Sequence, residues 1–352
     1  MDFNERKQKI IAYLKIYGTV SSSEAQALTN AHRNTISSDL KKLIEEKVVN
    51  TIGNGKGTKY QLLENLIFSN ENITSLFPNK ERRKFEQYFK SSNRKKSFFN
   101  ITAESALNAD FTYSQQIEER FLSLKERITE KRRTLSEVER KRRKEKLVID
   151  LSWASSNIEG NTYSILETEA LIKFNETAKG KSFKEAQMIL NHKAAIDYIR
   201  EEPEFKKLDK QKVLALHQLL TKNLDVNTGF RDHLVAISNS SFIPCDNKFQ
   251  IISFFDNILT KINLLKNSLE QALAANLLIA YLQPFSDGNK RTSRMLGNAI
   301  LLSTGYLPIS FSHTPKEDYI KAMLYFYEKQ DSAYFKQLFL NELNSSFREY
   351  IG

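Results

Sequence analysis

Apolar positions recur along this chain at helical spacing, and four stretches carry most of the pattern. Ile10, Ile11 and Leu14 give the first stretch one apolar face. Ile36, Leu40, Leu43 and Ile44 follow the i, i+4, i+7, i+8 rule and predict a core-facing helical stripe. Ile117, Phe121, Leu124 and Ile128 repeat it further on, in a helix expected to stop near Arg133. Residues 269–282 form an apolar, helix-like run that ends at Pro284. Helix starts are marked by capping boxes, Ser21-x-x-Glu24 and Ser136-x-x-Glu139. The strand-like exceptions are residues 48–52 and 58–62, which flank Gly53-Asn54-Gly55-Lys56-Gly57 and predict a hairpin. The resulting fold class is mainly α.

Charge divides the chain unevenly. The formal net charge of +11 splits into 30 Lys+Arg against 20 Asp+Glu in residues 1–150 and 23 against 22 in residues 151–352. A basic half joined to a nearly neutral one points to an anionic partner for the N-terminal portion, and equally to solvated helix faces of mixed sign. The run 140–146 belongs to the second kind, with Val138, Leu147 and Leu151 as its expected buried positions. A single cysteine, Cys245, excludes an internal disulfide and fits a reducing cytoplasm. The longest apolar run is too short to span a bilayer, so no membrane partner is expected. Five scattered histidines form no zinc-type cluster.

Within residues 1–66, three short helices followed by a glycine-rich hairpin resemble a winged helix-turn-helix. That fold commonly sets its third helix in the DNA major groove and its wing on the backbone. Arg33, Asn34, Thr35, Ser38 and Lys41 lie off the apolar stripe of the third helix, and Lys56 sits at the hairpin tip. They are the candidate DNA contacts. Residues 67–134 read as a linker and helical region.

The most informative stretch is Tyr-Leu-Gln-Pro-Phe-Ser-Asp-Gly-Asn-Lys-Arg-Thr-Ser-Arg, residues 281–294. An apolar helical run ends, a compact loop carries Asp287, Gly288 and Asn289, and Lys290, Arg291 and Arg294 open the next helix. Free N–H groups at a helix start, a glycine allowing close approach and several cations make a cradle for phosphates.

This loop resembles the signature of the Fic (Fido) family, His-x-Phe-x-Asp/Glu-Gly-Asn-Gly/Lys-Arg-x-x-Arg, with Phe285, Asp287, Gly288, Asn289, Lys290, Arg291 and Arg294 in place. The position of the catalytic histidine holds Gln283. Upstream, Ser155, Glu159 and Gly160 are similar to the family's inhibitory motif, Ser/Thr-x-x-x-Glu-Gly/Asn. The resemblance spans residues 135–345 and implies an all-helical Fic core with a small β-hairpin flap. It places that flap in residues 228–243, where strand pairing would hold a target segment. It further implies ATP with Mg2+ as cofactor, Asp287 holding the metal through the phosphates, Asn298 at the nucleoside, and Glu159 reaching Arg294 to inhibit in cis. The activity implied is transfer of AMP to a hydroxyl of an unknown target protein.

Gln283 changes that expectation, because an amide takes no proton near neutral pH and general-base loss costs about 10²–10⁴-fold. Three functions stay open: an ATP-binding Fic protein with impaired transfer, an inactive ATP-sensing regulator that binds DNA, or a transferase whose base comes from elsewhere. Lys290, in place of the common glycine, also leaves transfer of phosphate open.

Overall fold

The computed structural model describes residues 2–17, 19–46, 48–53, 55–62, 79–90, 94–99, 105–201 and 205–351. The chain forms two compact units, Met1–Asn72 and Ile73–Gly352.

In the first unit, α1 (Phe3–Tyr17), α2 (Ser22–Thr29) and α3 (Arg33–Glu45) pack over a three-stranded antiparallel sheet of β1 (Val20–Ser21), β2 (Val49–Ile52) and β3 (Lys59–Leu62). β3 lies in the middle, with Val49 opposite Leu62 and Val20 opposite Tyr60. The core is Ile10, Leu14, Val20, Ala25, Ile36, Leu40, Leu43 and Val49. Three of the four α3 stripe positions are buried, whereas Ile44 stays 38% exposed near the helix end. The Ser21–Glu24 capping box forms as its spacing predicts. Asp39 on α3 is buried against the Arg6 guanidinium at 2.6 Å, a bidentate contact that ties α1 to α3.

The second unit is helical around one buried hairpin of helices. Its elements are α4 (Asn79–Lys90), β4 (Ser97–Phe98), α5 (Gln115–Thr134), α6 (Glu137–Ile158), α7 (Ile165–Phe174), α8 (Phe183–Glu201) and α9 (Lys210–Thr221). There follow β5 (Phe242–Ile243), α10 (Lys248–Leu264), α11 (Ser268–Leu282), α12 (Asn289–Ser303), α13 (Lys316–Lys329) and α14 (Ala333–Ile351). Beyond its first turn α11 has no exposed face, and the apolar run takes in one buried polar residue, Asn276. Residues 272–282 are all buried, and Leu273, Leu277, Leu278, Ile279 and Leu282 completely so. α12 packs directly along it. Gly297 makes that approach possible, since a Cβ there would meet the Asn276 amide at 1.9 Å and the Ala272 carbonyl at 3.1 Å. Each large apolar side chain buried this way contributes about 1.5–3 kcal/mol.

Two expectations change. Val138 is 78% exposed, because it stands in the first turn of α6, while Leu151 a few turns later is buried. The expected hairpin in residues 228–243 is absent. That segment runs as coil and turns up to β5, and β5 pairs in parallel with β4, far upstream in sequence. Among the described residues, no helix is long and apolar enough to cross a membrane.

Candidate active site

The loop between α11 and α12 is held by its own backbone and by three neighbouring segments. Gln283 ends α11 in the left-handed region at φ 51°, and Gly288 opens α12 at φ 80°. At Gly288 a side chain would also collide with Thr221, whose methyl lies 2.9 Å from the Cβ position. Asn289 closes the loop: its Oδ1 accepts from the Phe285 N–H at 2.9 Å and its Nδ2 donates to the Phe285 carbonyl at 2.8 Å. The Asn289 side chain is thus committed to loop shape, and it is buried. Phe285 is buried with its ring stacked 3.8 Å from His217, whose Nε2 lies 2.9 Å from the Asp287 carbonyl. Burial holds the His217 pKa below its ordinary value.

The cations sit on the first turns of α12. Arg291 donates to the Leu220 carbonyl at 3.0 Å and to Asp287 at 2.9 Å, and the other Asp287 oxygen accepts from the Gly288 N–H. The Asp287 side chain is nevertheless 68% exposed at the mouth of the loop. Lys290 is half-buried. Arg294 is buried and reaches across to α6: Nε donates to Ser155 Oγ at 3.0 Å, Nη2 to the Ser155 carbonyl at 3.1 Å, and Nη1 to Tyr319 Oη at 3.2 Å. Glu159, the residue capping the C-terminus of α6, places Oε1 2.7 Å from Arg294 Nη2. Burial raises the Glu159 pKa, and Arg294, Lys290 and Arg291 together outweigh it and hold the carboxylate below its ordinary range. Gly160 follows at φ 94° and turns the chain away from the helix.

Other sequence-selected residues have different surroundings. The Asn298 amide is occupied on both sides by the backbone of Ile309, accepting from its N–H and donating to its carbonyl at 2.9 Å each. A nucleoside contact from that side chain would require breaking this clamp. Gln283 is buried, and its Nε2 donates to the Ala280 carbonyl at 2.6 Å. On the first unit, Arg33, Asn34, Ser38 and Lys41 are exposed along α3 and Thr35 is half-buried. The Lys56 side chain lies outside the described residues.

Two residues of the site carried no sequence signal. Tyr319 of α13 anchors Arg294 from the side opposite Ser155, and Arg231 ties residues 228–247 to the loop. The Arg231 guanidinium is buried and donates to the carbonyls of Gln283, His233 and Cys245, and its own N–H donates to the Pro284 carbonyl. An isolated arginine after Gly229-Phe230 gives no periodicity or spacing from which that role could be read.

Asp287 is a single carboxylate, and among the described residues no group of three His, Cys, Asp or Glu could enclose a metal. That donor set suits Mg2+, which takes one or two carboxylates and completes its shell with phosphate and water.

Fold and site together define a helical protein built around a buried loop that opens a helix carrying two buried arginines. Residues 207–301 match the Fic/DOC family. The chain is 29% identical over 204 residues to the protein adenylyltransferase Fic of Aedes aegypti, covering 55% of this chain and 41% of that protein. It is 25% identical over 201 residues to the protein adenylyltransferase fic-1 of Caenorhabditis elegans, covering 55% and 39%. The chain therefore spans about two fifths of the length of these relatives. A solved Fic family protein from Desulfovibrio desulfuricans superposes with a TM-score of 0.58 at 21% identity, over 69% of this chain and 76% of that one. This chain is a Fic-domain protein.

Proposed function

We propose that this chain binds Mg-ATP on the loop between α11 and α12, in a site related to those of protein adenylyltransferases, and that Glu159 restrains it. The observation that carries the reading is the 2.7 Å contact between Glu159 and Arg294. A buried guanidinium is the group a terminal phosphate needs, and here a carboxylate of the same chain already engages it. The N–H groups at the start of α12, with Lys290 and Arg291, would hold the remaining phosphates. Bound Mg2+ would neutralise phosphate charge, with Asp287 as its protein ligand. AMP transfer to a target hydroxyl is the reaction class implied, slowed by Gln283, which cannot take the hydroxyl proton.

The test is calorimetric titration of Mg-ATP into wild type and Glu159→Gly, followed by incubation with α-labelled ATP. Tighter binding by the variant, and labelling that rises again in Glu159→Gly/Gln283→His, are the expected results. No binding to either protein removes the proposal. Equal labelling with and without the histidine shows that Gln283 is not the limiting group.

A second function is favoured by the exposed row Arg33, Asn34, Ser38 and Lys41 on α3. It takes residues 1–66 as a winged helix-turn-helix ahead of a Fic domain at 135–345. The protein is then a DNA-binding regulator whose Fic core senses ATP.

A further inference from the structure

The parallel pair β4–β5 is unusual in its smallness and its connection. Two residues on each strand cannot hold a sheet by themselves, and a parallel pair needs a long crossover. Here the crossover is supplied by about half of the second unit, since β4 is residues 97–98 and β5 is residues 242–243. β4 also lies upstream of the region that matches the family, residues 207–301. Its backbone nonetheless meets β5 as a strand does: the Ser97 N–H donates to the Ser241 carbonyl and the Phe99 N–H to the Ile243 carbonyl, both at 2.9 Å.

Both ends of this pair are pinned. On one side, the Phe99 ring packs on Phe254 and on Tyr281, and Phe242 stacks 4.7 Å from the same Tyr281, two residues before Gln283. On the other, the buried Glu328 carboxylate of α13 accepts from Tyr88 Oη at 2.5 Å, from Arg94 Nε at 3.0 Å and from Arg94 Nη2. It also accepts from Ser240 Oγ at 3.1 Å and from the Ser241 N–H at 2.7 Å. One carboxylate thus fastens the residue preceding β5 to the segment that delivers β4. By contrast, Phe98 is 65% exposed, so the strand is held by backbone pairing and by its ends, with little side-chain burial of its own.

We propose that Ser97–Phe99 is a resident strand that occupies, in cis, the edge of β5 on which an extended segment of a protein partner would pair. Backbone pairing reads shape more than sequence, so one extended peptide can replace another. The occupant that fits is a peptide with an aromatic residue in the place of Phe99, facing Tyr281 and Phe254. This rests on the reading, implied by the family resemblance, of residues 228–243 as the segment that holds a target, with β5 as its paired strand in place of a hairpin. It adds a restraint on the partner separate from the one Glu159 places on nucleotide.

The test uses the full chain and a fluorescein-labelled peptide of residues 94–99 added in trans. Phe99→Pro removes the N–H donated to Ile243 and should detach the strand. Arg94→Gln, which loosens the Glu328 clamp while leaving β4 intact, is the second variant. Hydrogen exchange at the Ser97 N–H, which donates to the Ser241 carbonyl, reports detachment, and fluorescence anisotropy reports peptide binding. The expected result is faster exchange in the variants and peptide affinity at least about tenfold above wild type. A detached strand with no gain in peptide binding overturns the proposal, and so does a strand that stays protected in both variants. Mg-ATP titration of the same proteins separates the two claims: peptide binding without any ATP binding leaves this inference standing and removes the nucleotide reading.

Discussion

Glu159 ends helix α6 with its carboxylate 2.7 Å from the Arg294 guanidinium on α12. Arg294 has two further partners, Ser155 and Tyr319, that do not depend on Glu159. Removing the carboxylate therefore leaves a positioned, buried cation with no counter-charge. Breaking such a pair costs about 3–5 kcal/mol. Glu159→Gly should melt well below wild type without ligand and recover more than wild type when Mg-ATP or tripolyphosphate is added. Thermal denaturation with and without ligand measures both. Identical melting, with no gain from either anion, would show that Arg294 is not an anion site.

The close passage of α11 and α12 makes Gly297 sensitive to any added atom. Gly297→Ala pushes a methyl group into the Asn276 amide, which is itself buried and bonded to the Ala272 carbonyl. Overpacking of this kind costs about 1–3 kcal/mol. Because α12 also carries Arg291 and Arg294, ATP affinity should fall along with stability. Chemical denaturation and calorimetry on one preparation would check it, and an unchanged midpoint would contradict the packing described.

Stability should also depend on pH through His313. That ring lies 3.6 Å from Glu342 and 3.0 Å from Glu349, both on α14, and the buried Glu342 together with Glu349 raises its pKa to about 9. The folded value exceeds the unfolded one of about 6.5. The contribution to stability is thus complete below about 6.5 and is lost as pH rises through about 9. Stability of wild type should decline across that window, and His313→Asn should flatten the decline. Denaturation midpoints between about pH 6 and about pH 9.5 test it, and parallel curves for the two proteins would refute it.

What the sequence reveals of this architecture depends on the range of the interaction. The helical stripes, both capping boxes and the apolar run that becomes α11 are local consequences of residue order and spacing, and the sequence carries them directly. The meeting of Glu159 with Arg294 follows only from the family resemblance. Thr228-Gly229-Phe230-Arg231 followed by residues 234–243 suggests a turn into a hairpin, which would give Phe242 and Ile243 a local partner. Their partner is β4, more than a hundred residues away, and no local pattern announces a parallel pairing at that distance. Arg231, Tyr319 and Glu328 act through tertiary contacts with backbone groups and single side chains, and their neighbours in sequence do not mark them.

Arg33 and Lys41 of the first unit stand eight residues apart on α3, a little over two turns, and are both exposed. If α3 lies against duplex DNA, these two cations account for phosphate contacts and little else. Removing one phosphate contact lowers the slope of log affinity against log salt by about 0.9. Arg33→Ala with Lys41→Ala should therefore weaken binding of the full chain to every duplex to a similar degree and flatten the salt dependence by about 2. Ser38→Ala, a change in a neutral side chain on the same helix, should alter preference among sequences and leave the slope as it was. Filter binding between about 50 and about 200 mM salt distinguishes the two effects. Retention on duplex that ignores salt in both wild type and variant would assign α3 to a protein partner.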